Sequence, residues 1–149
     1  MALMSDTRAP DIGEAARDLF PPDASSGWTA AMAMRFVTLR SDEVALEWEV
    51  GPQHLQPFGL VHGGVYSGAV ETVASVGALI TAGAGFQVVG VENQTSFLRP
   101  VSSGTLRCTG RPLHVGRQFQ LWEAHVTDHQ GRIVAAGRLR VFCSPRKGP

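Results

Sequence analysis

The segment Gly64-Val65-Tyr66-Ser67-Gly68-Ala69-Val70-Glu71-Thr72-Val73-Ala74-Ser75-Val76-Gly77-Ala78-Leu79-Ile80-Thr81-Ala82 decides the fold. Almost every residue in it is apolar or small, over nearly the length of a bilayer span. Its richness in Gly, Ala, Ser and Thr, and a glutamate near its middle, argue against a membrane, where that charge would be costly. A helix apolar on all sides outside a membrane has to be buried in protein. The spacing therefore predicts a helix over Gly64 to Thr81, ending near Gly83 and Gly85.

The flanks supply what could bury it. Upstream, Met32 to Leu39 reads as a strand. Val44, Leu46, Trp48 and Val50 then alternate with Ala45, Glu47 and Glu49, with Ser41 and Asp42 as the turn between the two strands. Downstream, strands are expected at Gln87 to Leu98, Thr105 to Leu113, Arg117 to Asp128 and Arg132 to Phe142. In the last of these, Leu139 and Val141 face opposite to Arg138 and Arg140. Asp128-His129-Gln130-Gly131 is a hairpin turn. Two strands, a long apolar helix and four strands make an α+β class, an antiparallel sheet with a helix packed on it. One flat sheet cannot cover such a helix; a strongly curved sheet can, completed by a partner subunit.

The remaining chain is short. Asp11 to Phe20 reads as an amphipathic helix ended by Pro21 and Pro22, and Asp23 to Gly27 as loop. The expected organisation is an N-terminal segment over 1–28, one domain over 29–143 and a loose tail over 144–149. Thirteen basic residues balance thirteen acidic ones, so no polyanion-binding surface is indicated and nucleic acid is a poor partner. Cys108 and Cys143 have no metal-ligand spacing and read as buried reduced thiols of a cytoplasmic protein. No metal and no organic cofactor are expected, and no secretory signal is evident.

Chemistry concentrates where the loop Gln56-Pro57-Phe58-Gly59-Leu60-Val61-His62-Gly63 enters the helix. Glu71 is the only charged side chain in the helix, and Ser75 lies one turn on along the same face. A carboxylate in apolar surroundings is expected to have its pKa raised, which marks it as a possible base or nucleophile. Gly63 and Gly64 expose backbone N–H groups at the helix start, where a thioester carbonyl could approach closely. But Gly63 and Glu71 are eight residues apart, about 12 Å along a helix. One chain does not bring both to one carbonyl, so a shared site between two subunits is expected. Plainer readings stand beside these: Glu71 paired with Arg99, Gly63-Gly64 as a tight turn, and His62 as a loop residue bonded to backbone.

The same residues carry a family resemblance. His62-Gly63-Gly64-Val65-Tyr66-Ser67, then Val70-Glu71-Thr72-Val73-Ala74-Ser75, then Asn93-Gln94-Thr95-Ser96-Phe97-Leu98-Arg99-Pro100 resemble the hotdog-fold acyl-CoA thioesterases. The likeness is to the 4-hydroxybenzoyl-CoA and phenylacetate-degradation types, and it runs from about Thr29 to Phe142. It implies a hotdog fold, a curved antiparallel β-sheet wrapped around a long central helix. It implies Glu71 as nucleophile or general base and Gly63 as oxyanion donor from the opposite subunit. Gln56 would align carbonyl or water, Ser75 would sit near the attacking water, and His62 joins the catalytic set. Gly64, Phe58, Tyr66, Arg99 and Arg117 would bind substrate, the two arginines near the phosphates of acyl-CoA. The implied assembly is a homodimer and a dimer of dimers, hence a homotetramer. Many relatives carry Asp where this chain has Glu71, which leaves nucleophile and base both open. The sequence does not identify the acyl group. Two rivals remain: a hotdog hydroxyacyl-thioester dehydratase or hydratase, which would want a histidine within reach of Glu71, and a non-catalytic acyl-CoA-binding protein, which has no need of that carboxylate.

Overall fold

The computed structural model describes residues 11–17, 19 and 26–148. In chain order the elements are β1 (Asp11–Ile12), α1 (Glu14–Arg17), α2 (Gly27–Ala31), β2 (Arg35–Leu39), β3 (Val44–Glu49), a 3₁₀ turn (Pro52–His54), α3 (Gly63–Ala82), β4 (Phe86–Phe97), β5 (Thr105–Val115), β6 (Phe119–Asp128) and β7 (Ile133–Pro145). The strands form one seven-stranded sheet in the order β1-β2-β3-β5-β6-β7-β4. Every pairing is antiparallel except β1 with β2, which is parallel. Strand β4 therefore lies at one edge and the two-residue β1 at the other.

The sheet curls around α3 as the alternation of side chains demands. Along β6, Gln120, Trp122, Ala124 and Val126 are buried against the helix, while Leu121, Glu123, His125 and Thr127 turn outward. In β7, Val134, Leu139 and Val141 are buried and Arg138 and Arg140 exposed, as the sequence led one to expect. The outer face carries ion pairs, Arg35–Glu47–Arg107 and Arg138–Glu123 among them. These half-exposed pairs contribute about 0–1 kcal/mol each and mark the solvent side more than they hold the fold. On the helix side, Val65, Tyr66, Ala69, Val70, Val73, Ala74, Ala78 and Ile80 are buried. Gly77 lets the sheet come close: a Cβ there would overlap the Trp122 ring. The helix ends at Gly83, whose φ of 86° favours glycine and whose N–H donates to the Leu79 carbonyl at 2.9 Å.

Several expectations change. Where an amphipathic helix was expected over Asp11 to Phe20, the described residues form a short strand, Asp11–Ile12, and one helical turn, Glu14–Arg17, because Ile12 joins the edge of the sheet beside Leu39; Asp18 and Phe20 lie outside the described residues. Pro21 and Pro22 lie outside the described residues. Gly27, read as loop, starts α2. The tail expected to be loose from Ser144 stays paired, Ser144 with Gln87 and Pro145 with Phe86. Both cysteines are free and buried, and burial pushes the Cys108 and Cys143 thiols up in pKa, so they stay protonated and unreactive.

The helix is not covered all round. Gly64 and Glu71 are exposed, and Ser67, Gly68, Thr72, Ser75 and Leu79 are only partly covered. Their spacing of three and four residues forms a single open stripe along α3. The curved sheet reaches the opposite arc only. Glu71, expected to be desolvated in apolar surroundings, thus faces out from the single chain.

Candidate active site

The loop entering α3 is held by its own backbone. Leu55 and Val61 form an isolated bridge, Gln56 N–H donates to the Leu60 carbonyl at 2.8 Å, and Gly59 N–H donates to the Gln56 carbonyl at 2.9 Å. Gly59, with φ of 81°, makes this tight reversal. The side-chain oxygen of Gln56 accepts the Phe58 N–H. That leaves the Gln56 amide nitrogen as the free end, able to donate but not to accept.

His62 is the N-cap of α3. Its Nδ1 accepts the Gly64 N–H at 2.8 Å, and its carbonyl accepts the Val65 N–H at 2.9 Å. The histidine thus takes the part of the plainer reading, a loop residue bonded to backbone. It also uses up the Gly64 amide, so Gly64 is not a free oxyanion donor. Gly63 differs: its N–H has no acceptor among the described residues. The peptide joining His62 to Gly63 is planar and trans, so its N–H points opposite to a carbonyl tied into the helix. The Gly63 amide is aimed outward at the positive end of the α3 dipole. A Cβ at Gly63 would overlap the Phe97 ring, which keeps the position bare. Replacing His62 with Ala is expected to lower stability by about 1 kcal/mol through loss of the cap, read from the urea midpoint.

Beside this amide lies an apolar cleft of about 270 Å³ lined by Gln56, Leu60, Val61, Gly63, Tyr66 and Phe97, and closed by Leu98, Arg99 and Pro100. Of the residues singled out from the sequence, Gln56, Gly63, Tyr66 and Arg99 are therefore brought together. Tyr66 is buried, and its hydroxyl has no hydrogen-bond partner among the described residues. Burial pushes its pKa up to about 12, so it can donate a proton to a hydrogen bond but is no base near neutral pH.

Other residues stand apart. Phe58 is not a lining residue: it is 90% exposed at the tip of the loop, because the turn that ties Gln56 to Gly59 points it outward. Arg117 lies in the turn between β5 and β6, not in the cleft, since β6 begins only at Phe119. Glu71 has no ion-pair partner among the described residues, and Arg99 is in the cleft, exposed and unpaired with it. Glu71 and Ser75 sit on the open stripe of α3 and do not line the cleft.

Two residues escaped the sequence reading. Trp28 of α2 lies against the same stripe, where a Cβ at Gly68 would overlap its ring. It is 42% exposed, and the Gly68 it lies against is three residues, about one helical turn, before Glu71. His54, fully buried, ties the loop to α2. The signal available for both was slight: a glycine in mid-helix that calls for a bulky neighbour, and a histidine in a Gly/Pro-rich loop.

Comparison with known proteins gives a consistent result. The profile of the thioesterase superfamily matches residues 58–135. Rv1847, a provisionally named esterase of Mycobacterium tuberculosis, is 40% identical over 124 residues, covering 81% of this chain and 89% of the relative. Its solved structure superposes with a TM-score of 0.77. The proofreading thioesterase EntH of Klebsiella pneumoniae subsp. pneumoniae is 39% identical over 110 residues, 74% of this chain and 80% of the relative. The thioesterase HI1161 of Haemophilus influenzae superposes with a TM-score of 0.78 at 26% identity, covering 81% of this chain and 85% of that one.

Proposed function

The chain belongs to the thioesterase superfamily of hotdog-fold thioester hydrolases, and on that premise we propose that it hydrolyses an acyl-CoA to the free acid and CoA in a site shared by two protomers. Glu71 of one protomer attacks the thioester carbonyl or removes a proton from water. The partner subunit's Gly63 donates its N–H to the developing oxyanion. The Gln56 amide aligns the carbonyl or water, and Ser75 sits one turn from Glu71 on the side of the attacking water.

One observation carries this reading: an unpaired Gly63 amide starts α3 and, eight residues on, an exposed Glu71 carboxylate has no ion-pair partner among the described residues. A two-fold axis level with Ser67, midway between them, would set each opposite the other. The neighbouring edge supports such an axis. The Ser67 carbonyl accepts from the Asn93 side chain at 2.9 Å, which puts Asn93 of β4 at that level. Strand β4 is a twelve-residue edge with Val89 and Val91 more than half exposed and Glu92 its only charge. Such an edge invites antiparallel pairing with a second copy. Pairing of β4 with the partner's β4 about Asn93 would lay the two α3 helices antiparallel and bury Glu71.

Arg99, a lining residue of the cleft, is the residue proposed to meet the CoA phosphates; Arg117 does not line the cleft of the single chain. A cleft of about 270 Å³ is at the small end for ligand sites, which run roughly 300–1,000 Å³. It favours a short or aromatic acyl group over a long chain. The test is thiol release from benzoyl-CoA, hexanoyl-CoA and palmitoyl-CoA. Turnover of benzoyl- or hexanoyl-CoA above palmitoyl-CoA is expected. Binding of all three with no thiol released would support the acyl-CoA-binding alternative instead.

A further inference from the structure

His54 ends the 3₁₀ turn and is 0% exposed. Its Nδ1 accepts the Gly51 N–H at 2.8 Å, and its Nε2 lies 2.8 Å from the Met32 carbonyl. The Gly51 amide can only donate and the Met32 carbonyl can only accept, so the ring proton is on Nε2. Both ring nitrogens are thus spent on backbone groups of two different segments. The His54 carbonyl, in turn, accepts the His62 N–H at 2.8 Å.

These bonds form a chain that ends at the active site. His62 is held at its amide by His54, at its ring by Gly64 and at its carbonyl by Val65. That last bond belongs to the same peptide unit as the Gly63 N–H. Rotating the peptide would break it, and shifting His62 would break the bond to His54. We infer that His54 is a positioning residue for the oxyanion donor: its buried ring locks the turn whose carbonyl anchors His62, and so sets where the Gly63 N–H points. The inference rests on the reading of Gly63 given above. No reacting atom touches the ring. Histidine suits the place because it offers an acceptor and a donor on well-separated atoms of one rigid plane. A buried, fully satisfied polar link of this kind resists rearrangement, whereas a donor misplaced by about 1 Å can lower a rate on the order of 100-fold.

The test compares wild type, His54→Ala, His54→Asn and His54→Gln. The asparagine side chain keeps an acceptor for Gly51, and the glutamine side chain keeps a donor for Met32. With benzoyl-CoA and hexanoyl-CoA, His54→Ala is expected to lower kcat on the order of 10–100-fold with KM little changed, and His54→Asn to regain part of it. Unchanged kcat in folded His54→Ala overturns the inference. So does a loss in which kcat and KM worsen together with no recovery in His54→Asn, the mark of a general folding defect. Should His54→Ala not fold, wild-type kcat in both His54→Asn and His54→Gln overturns it equally. If wild type releases no thiol from either substrate, the proposed function fails and the inference is read separately. The amide signals of Gly63 and Gly64 in ¹⁵N–¹H spectra of the ligand-free protein are expected to move on substitution of His54. Signals that stay in place overturn it.

Discussion

Replacing Glu71 with alanine is expected to lower kcat for thiol release by about 10²–10⁴-fold and leave the fold intact. The two halves of this expectation have different origins. The loss of rate follows from the role proposed for the carboxylate. The intact fold follows from its position: Glu71 is exposed in the single chain and holds no ion-pair partner among the described residues, and alanine is the better helix former. Glu71→Gln should lose nearly as much, since it keeps the size and removes the charge. Thiol-release kinetics and urea unfolding on the same preparations separate the two effects. Wild-type turnover in Glu71→Ala would end the mechanism proposed here.

The largest expected effect on stability lies at the far end of the same helix. Trp122→Ala should destabilise the protein by about 3–5 kcal/mol, as large aromatic truncations in a packed core do. Trp122 is fully buried, its ring against Gly77 and its Nε1–H donating to Gln120 at 2.8 Å. Gln120 passes the link on, its Nε2 donating to the Ala78 carbonyl at 3.2 Å. Removing the indole opens a cavity and leaves the Gln120 oxygen without that donor. Gly77 is fourteen residues from Gly63, about 21 Å along the helix. The kcat of the folded fraction should therefore change little, and urea unfolding alongside thiol release checks both.

These two substitutions also show what the sequence made legible. The run of small and apolar residues located α3 to within a residue or so at each end, and the period-two alternation in β7 set Leu139 and Val141 on the face opposite Arg138 and Arg140. Burial follows pattern in such elements because one face must meet the helix. At Glu71 the same reasoning called for a second subunit, and in the single chain the carboxylate is exposed. Gly64 and Ser75 look like packing residues in a list, yet they line the open stripe, whereas Gly68 does pack, against Trp28. Smallness alone does not say whether a neighbour is a sheet, a partner helix or water. Phe58 is a related case: apolar character suggested a pocket wall, and in the single chain the turn fixed by Gln56 and Gly59 turns it out. His54 and Trp28 were missed because their roles depend on contacts across the chain, His54 with Met32 and Trp28 with Gly68. No local spacing encodes those contacts. The loop and helix start that carry Gln56 and Gly63, with Glu71 two turns on, were legible because one continuous stretch of sequence marks them.

The shared site is the claim on which the account turns. The direct measurement is the activity of a purified mixed dimer joining a Glu71→Ala subunit to a Gly63→Val subunit. The first still offers an intact Gly63 amide, and the second an intact Glu71. Each homodimer should be nearly inactive, and the mixed dimer should regain one working site of its two. A mixed dimer no more active than its parent homodimers, with both subunits folded and paired, would contradict a site built from two protomers.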